Sequence, residues 1–217
     1  MDPEVSLDHN NNTQITDCMG TFPKAVKRLF DVLCALVCLL LFSPLFLLCF
    51  VLVKLEDGGP VIYSQERIGR NGTPFFIHKF RSMRTDAEKA GPQLCSADIS
   101  EDNRLTKVGK FLRGHHLDEL PQFWNVLVGD MSFVGPRPER KFFIDQIMQH
   151  DARYELLYQI RPGISSYATI YNGYTDTMEK MLKRLEYDLY YLQHRSLMLD
   201  VRIILLTFYK IVTGRVF

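Results

Sequence analysis

The sequence predicts a mainly helical α+β protein, attached to a membrane by a bent apolar helix and carrying a short β-hairpin ahead of a helical body. Three features predict it. From Val32 to Val53 runs an uncharged stretch of 22 residues, interrupted by Ser43-Pro44. Asn71-Gly72 is a turn signal between two β-prone segments. After Arg104, apolar residues recur at helical spacing over most of the chain.

A chain of 217 residues, 47% hydrophobic and 24% charged, suits one compact domain with a membrane attachment. A net charge of +1 supplies no global field for a polyanion, so no nucleic-acid partner is expected and any anion site must be built locally. Cys18, Cys34, Cys38, Cys49 and Cys95 form no CxxC pair and no metal-like spacing. They read as reduced, buried small hydrophobes in a reducing compartment.

Residues 1–22 are polar and Asn-rich (Asn10, Asn11, Asn12), without a hydrophobic period, and read as a flexible tail. The tail is too long and too acidic for a signal peptide's basic start, and no small-residue cleavage site follows the apolar run. Residues 23–56 form the membrane segment. The apolar run matches the roughly 20 residues a bilayer crossing needs. At its midpoint, however, Pro44 removes a backbone donor and clashes with the preceding turn, so the helix must bend or break. Lys24, Lys27 and Arg28 precede the run and Lys54 follows it. Basic residues at both ends orient no crossing helix, but suit a segment that turns at Ser43-Pro44 and leaves on the side it entered. The Ser43 hydroxyl can meet a carbonyl freed at the bend. On these residues a kinked transmembrane helix stays a rival. A buried core helix is weaker, because so long an all-round apolar helix needs a large domain to hide it.

Residues 57–217 form the body. Val61-Ile62-Tyr63 and Pro74-Phe75-Phe76-Ile77 flank the hairpin turn at Arg70-Asn71-Gly72, and residues 85–103 read as an acidic surface helix and loop. Leu105, Val108, Phe111 and Leu112 share a helical face, and Leu117 to Val128 reads as a second helix. Gly129 to Pro138 reads as an irregular loop. Phe142 to Tyr158 is helical until Arg161-Pro162-Gly163 breaks it. Residues 178–212 form one or two further helices, the last interrupted by Asp200, Arg202 and Lys210 and read as core in preference to the membrane interface.

The densest chemistry lies in Arg113-Gly114-His115-His116-Leu117-Asp118-Glu119-Leu120-Pro121-Gln122. Pro121 marks a helix start, where the dipole and free N–H groups favour ionised carboxylates at Asp118 and Glu119. Taken alone, Asp118 reads as an N-cap. Two adjacent acids among Leu117, Leu120, Phe123 and Trp124 also suit a nucleophile beside a ligand for a hard cation such as Mg²⁺. Arg113 lies just upstream, and Arg137 and Arg161 each precede a proline in a loop, a placing that suits paired donors to phosphate oxygens. His115 and His116 point apart on a helix, lack further metal ligands nearby, and read as a polar turn.

An ordered set of motifs resembles the bacterial sugar transferases, the monotopic phosphoglycosyl transferases that start glycoconjugate assembly on polyprenyl phosphate. The set comprises Lys27-Arg28-Leu29-Phe30-Asp31, Ser43-Pro44, Gln65-Glu66-Arg67-Ile68-Gly69, Lys79-Phe80-Arg81-Ser82-Met83, Leu117 to Gln122, Gly129-Asp130-Met131-Ser132, Val134 to Pro138 and Arg161-Pro162-Gly163. The similarity runs from about Lys24 to the end. It implies a re-entrant helix bent at Ser43-Pro44 and a catalytic domain on the cytoplasmic face of the bacterial inner membrane. It implies Asp118 as nucleophile on the sugar-bearing phosphorus of a UDP-sugar, with UMP leaving and polyprenyl phosphate attacking the phosphosugar–aspartyl intermediate. Glu119 would hold Mg²⁺, and Arg113 and Arg137 would bind phosphate, with Lys79, Arg81 and Arg161 as lesser candidates and Asp188 matching a C-terminal acid. Residues 114–116, Gly-His-His, and Ser165-Ser166-Tyr167 depart from the usual pattern and leave the sugar unreadable. The chain resembles the minimal form, without extra N-terminal membrane helices, and homodimerisation stays open. A non-catalytic membrane scaffold and a hydrolase of lipid-linked phosphates are the alternatives. The first would show lost acids or arginines; the second would give a water-soluble phosphosugar.

Overall fold

The computed structural model describes residues 15–87, 89, 91, 102–173 and 175–213. Helix α1 (Thr21–Leu41) meets α2 (Ser43–Asp57) at a 62° bend. Pro44 sits at the start of α2, where its missing N–H costs no helical bond, and the Ser43 hydroxyl donates to the Leu40 carbonyl at 2.8 Å. Among the described residues no single helix is long and apolar enough to cross a membrane; the bent pair together meets that measure by length and composition alone.

The polarity of α1 is inverted relative to a water-soluble helix. Lys27, Asp31 and Ala35, spaced four apart, face the body, while Leu29, Leu33, Val37 and Leu40 are exposed. Lys27 pairs with Asp200 at 2.8 Å, and Asp31 accepts the Phe133 N–H at 3.0 Å. Both ends of the bent pair are tied to the same body. Arg28 donates to the Val126 and Leu127 carbonyls at 2.7 and 3.0 Å, and Glu56 accepts the Val108 N–H at 3.1 Å.

Strands β1 (Ile62–Ile68) and β2 (Pro74–Phe80) pair antiparallel from Ile62↔Phe80 to Ile68↔Pro74. The turn is the one the sequence predicts, with Asn71 at φ 59° and Gly72 at φ 70°. The strands extend beyond the β-prone segments because the ladder carries polar residues 64–67 and 78–79 with it.

The body continues through α3 (Lys107–Gly114), α4 (Gln122–Val128), β3 (Ser132–Val134), α5 (Lys141–His150), β4 (Gly163–Ser165), α6 (Tyr167–Asn172), α7 (Met178–His194) and α8 (Leu197–Thr213). Several expectations are corrected. The helix expected over 117–128 is split, because Pro121 separates a 3₁₀ turn at Leu117–Glu119 from α4. The expected loop after Gly129 contains β3, which pairs in parallel with β4. Phe111, assigned to the buried face of α3, is 54% exposed, whereas Leu105 and Leu112 are buried. Helix α6, absent from the sequence reading, is capped by Ser166, whose Oγ accepts the Thr169 N–H at 2.9 Å. Helix α8 buries only Asp200 and Ile203 and exposes Leu205, Phe208 and Val212, so it is not a core helix. Within the stretch expected to be tail, residues 15–20 dock: Met19 is buried, and Asp17 pairs with Lys24 at 2.7 Å. Residues 1–14 and most of the expected helix and loop at 85–103, Cys95 included, lie outside the described residues. Of the apolar-run cysteines only Cys49 is fully buried, and the four described cysteines are free thiols.

Candidate active site

The site forms where the 3₁₀ turn, the end of β2 and the loop after β3 meet. Helix α3 ends at His115, and His116 takes a left-handed conformation, φ 55°, that folds the chain sharply into Leu117-Asp118-Glu119. Leu117 and Leu120 anchor this turn against the cluster of Leu112, Val61, Phe80 and Val53, which joins it to the end of α2. Neither the turn nor α4 has a side-chain cap hydrogen bond, so Asp118 is not the N-cap that it resembles in isolation.

Asp118 is 5% exposed. Burial pushes its carboxyl up to about 6; Lys79, Arg113 and Arg137 pull against that, and Glu119 adds to it. The expected helix-start stabilisation of an ionised Asp118 is therefore outweighed by desolvation. Glu119 behaves oppositely. Burial pushes it up, but Arg137 and Lys79 hold it well below the usual carboxylate range. Lys79 Nζ and Arg137 Nη2 both donate to Glu119 Oε1, at 2.6 and 2.7 Å. Facing Glu119 in turn holds Arg137 above its ordinary value. Two neighbouring acids are thus driven in opposite directions, Asp118 above and Glu119 below the usual carboxylate range, a division that marks functional carboxylate pairs.

Behind Arg137 lies a second buried network. Glu139 accepts from Arg67 at 2.8 Å and from Arg184 at 2.7 Å. Asp188, 2% exposed, sits beside Arg184 with its Oδ1 lacking a hydrogen-bond partner among the described residues, and burial lifts it to about 7. Glu139, Arg67 and Arg184 escaped the sequence reading. Two of them lie within or directly beside the quoted motifs (Gln65 to Gly69, and the residue after Pro138), which was the available signal.

The predicted residues therefore divide. Asp118, Glu119, Lys79, Arg113 and Arg137 are brought together. Asp188 stands behind them, next to the Arg67–Glu139–Arg184 network. Arg81 is buried elsewhere, paired with Asp57 at the end of α2, with its backbone N–H on the Val61 carbonyl at 2.9 Å. Arg161 donates Nε–H to the Gly129 carbonyl at 2.7 Å, and its charged neighbours are Arg28, Arg70 and Asp31 at the far end of α4. His115 and His116 form the turn the sequence suggests, and burial holds His116 below its ordinary value.

Among the described residues no group of three His, Cys, Asp or Glu side chains could hold a metal by itself. The acid pair still fits Mg²⁺, which commonly takes one or two carboxylates and completes its shell with water and substrate phosphates. Both cationic contacts to Glu119 converge on one of its two carboxylate oxygens.

The sequence profile described as "Bacterial sugar transferase" matches residues 22–214. The UDP-N-acetylgalactosamine-undecaprenyl-phosphate N-acetylgalactosaminephosphotransferase of Aeromonas hydrophila is 42% identical over 211 residues, 97% of this chain and 49% of that protein. The UDP-glucose:undecaprenyl-phosphate glucose-1-phosphate transferase of Escherichia coli is 43% identical over 86% of this chain and 40% of its own length. A protein of the same name from Caulobacter vibrioides is 41% identical over 86% of this chain and 70% of its own. The chain thus spans half or less of the first two.

Proposed function

The chain belongs to the bacterial sugar transferase family, and from that premise we propose that it moves a sugar-1-phosphate from a UDP-sugar to undecaprenyl phosphate at the cytoplasmic face of the inner membrane. The observation that carries this reading is the buried Asp118 beside a Glu119 pinned by Lys79 and Arg137. Near neutral pH an acid at about 6 is mostly ionised, yet more basic than an ordinary carboxylate and therefore a stronger nucleophile.

In the first step an Asp118 oxygen attacks the sugar-bearing phosphorus. The bond from that phosphorus to the bridging oxygen breaks, and UMP departs with the electron pair. In the second step an oxygen of the lipid phosphate attacks the same phosphorus and displaces Asp118, which returns to its carboxylate. Phosphoryl transfer asks chiefly for positioning and neutralised charge, which Lys79, Arg113 and Arg137 supply. Glu119 would hold Mg²⁺ when it is bound, and the ion would add charge neutralisation at the diphosphate. Because the enzyme carries the phosphosugar between steps, a soluble donor and a lipid acceptor use one site in turn.

The membrane half of the proposal is a re-entrant hairpin. Its support is that α1 begins and α2 ends on the same body, through Arg28 and Glu56, while the exposed faces of α1, α2 and α8 are apolar.

The test is UMP release from UDP-sugars by membrane preparations of the native chain and Asp118→Asn. Asp118→Asn is expected to insert normally and release no UMP. Turnover by that variant would remove Asp118 from the nucleophile role, and a water-soluble phosphosugar product would replace transfer with hydrolysis.

A further inference from the structure

A cavity of about 70 Å³ lies at the opposite end of α4 from Asp118, several times the roughly 15 Å³ that one water requires. The seven residues of α4 separate the two places by about 10 Å of helix. Lys24, Arg28, Arg70, Arg161 and Arg195 line it, with Ser132.

The acids present do not balance these cations. Asp17 is shared between Lys24 at 2.7 Å and Arg195 at 3.5 Å. Asp31 already accepts the Phe133 N–H, and Lys27, also on the wall, has Asp200. Arg28 and Arg161 spend N–H groups on the carbonyls of residues 126, 127 and 129, which fix their position without cancelling their charge. Burial, then crowding by Arg28 and Arg70, holds Arg161 below its ordinary value.

Two buried polar atoms on lining residues lack a hydrogen-bond partner among the described residues. They are Ser132 Oγ, on a residue 1% exposed, and Arg195 Nε. Unmet buried donors beside converging guanidinium groups suit a tetrahedral oxyanion. The location narrows the source. Lys24 and Arg28 stand on the first turns of α1, next to exposed Phe22, Val26 and Leu29, and α8 joins there through Lys27–Asp200. Basic pockets at the cytoplasmic boundary of apolar helices recognise anionic lipid headgroups.

We propose that this cavity is a second phosphate-binding site, separate from Asp118–Glu119, that holds the headgroup phosphate of an anionic phospholipid and seats the start of α1 at the membrane surface.

The full chain in neutral detergent would be titrated by calorimetry with short-chain phosphatidylglycerol, short-chain phosphatidylcholine and inorganic phosphate. Saturable binding of phosphatidylglycerol, with phosphatidylcholine and phosphate much weaker, is expected. Exposed Arg70 can be changed without disturbing the core, and Arg70→Gln should weaken binding about fivefold, the equivalent of about 1 kcal/mol. Arg70→Glu should weaken it further. Ser132→Ala should weaken binding while leaving the lipid-free melting temperature unchanged or raised, because it removes an unmet buried hydroxyl. Asp118→Asn should bind phosphatidylglycerol as the native chain does, so loss of transfer and loss of this site are read separately. Unchanged binding in Arg70→Glu, or loss of binding in Asp118→Asn, would overturn the second site. Phosphate binding as tightly as phosphatidylglycerol would overturn the lipid source.

Discussion

Asp118 and Glu119 are chemically similar side chains one position apart, yet their surroundings drive them in opposite directions. Asp118 is dominated by lost hydration and Glu119 by two cations. This predicts a pH profile. If Asp118 is the proposed nucleophile, UMP release in a single turnover should fall about tenfold per unit as pH drops below about 6, because its carboxylate becomes protonated. A flat profile down to pH 5 would contradict it. The stability consequence has the opposite sense to an ordinary ion-paired acid. A carboxyl raised in the folded state holds its proton more tightly there, so its contribution to stability declines as pH rises from its unfolded value toward about 6. Asp118→Asn should therefore raise the melting temperature at pH 7 while abolishing activity, by about 2–4 °C for each kcal/mol relieved. Arg137→Ala should lower turnover about 100- to 1000-fold, the scale for removing one preorganised charge partner, and Arg137→Lys should restore part of it. Both acids and both arginines nearest them were legible in the sequence as a motif. Their protonation states were not, since Lys79 and Glu119 lie 40 positions apart and only folding joins them.

Among the elements, legibility followed length and local chemistry. The bend at Ser43-Pro44 and the Asn71-Gly72 turn depend on residues within a few positions of one another, and both form as the sequence predicts. Strands β3 and β4 were invisible because each is three residues long and their pairing is non-local. Close approach also requires Gly163, where an added Cβ would come within 2.1 Å of the Gly135 nitrogen. Helix α3 carries a similar constraint. A Cβ on Gly109 would meet the Ser82 carbonyl oxygen at 1.9 Å, so α3 lies directly on the chain leaving β2. Gly109→Ala should cost about 1–3 kcal/mol in thermal unfolding, since backbone rather than a flexible side chain must move. An unchanged melting temperature would show that the two segments separate freely.

For the whole molecule, the notable feature is that charge points inward and apolar surface outward along α1, with α8 exposing a second apolar face beside it. Such a surface is stable where lipid replaces water. Cysteines engineered at positions 22 and 57 should be labelled from one side of the membrane only, and from the same side. Labelling from opposite faces would establish a crossing helix and put the body's two attachments in conflict. The sequence determined by itself that an apolar segment must bend, that a hairpin follows it, and that two adjacent acids stand just ahead of Pro121, because each depends on neighbours along the chain. Only the tertiary structure decided that Asp118 is desolvated, that Glu119 belongs to Lys79 and Arg137, that Arg81 and Arg161 serve other places, and that α8 turns its apolar side outward. Those outcomes rest on burial and on charges brought together from distant positions, and neither quantity exists until the chain has folded.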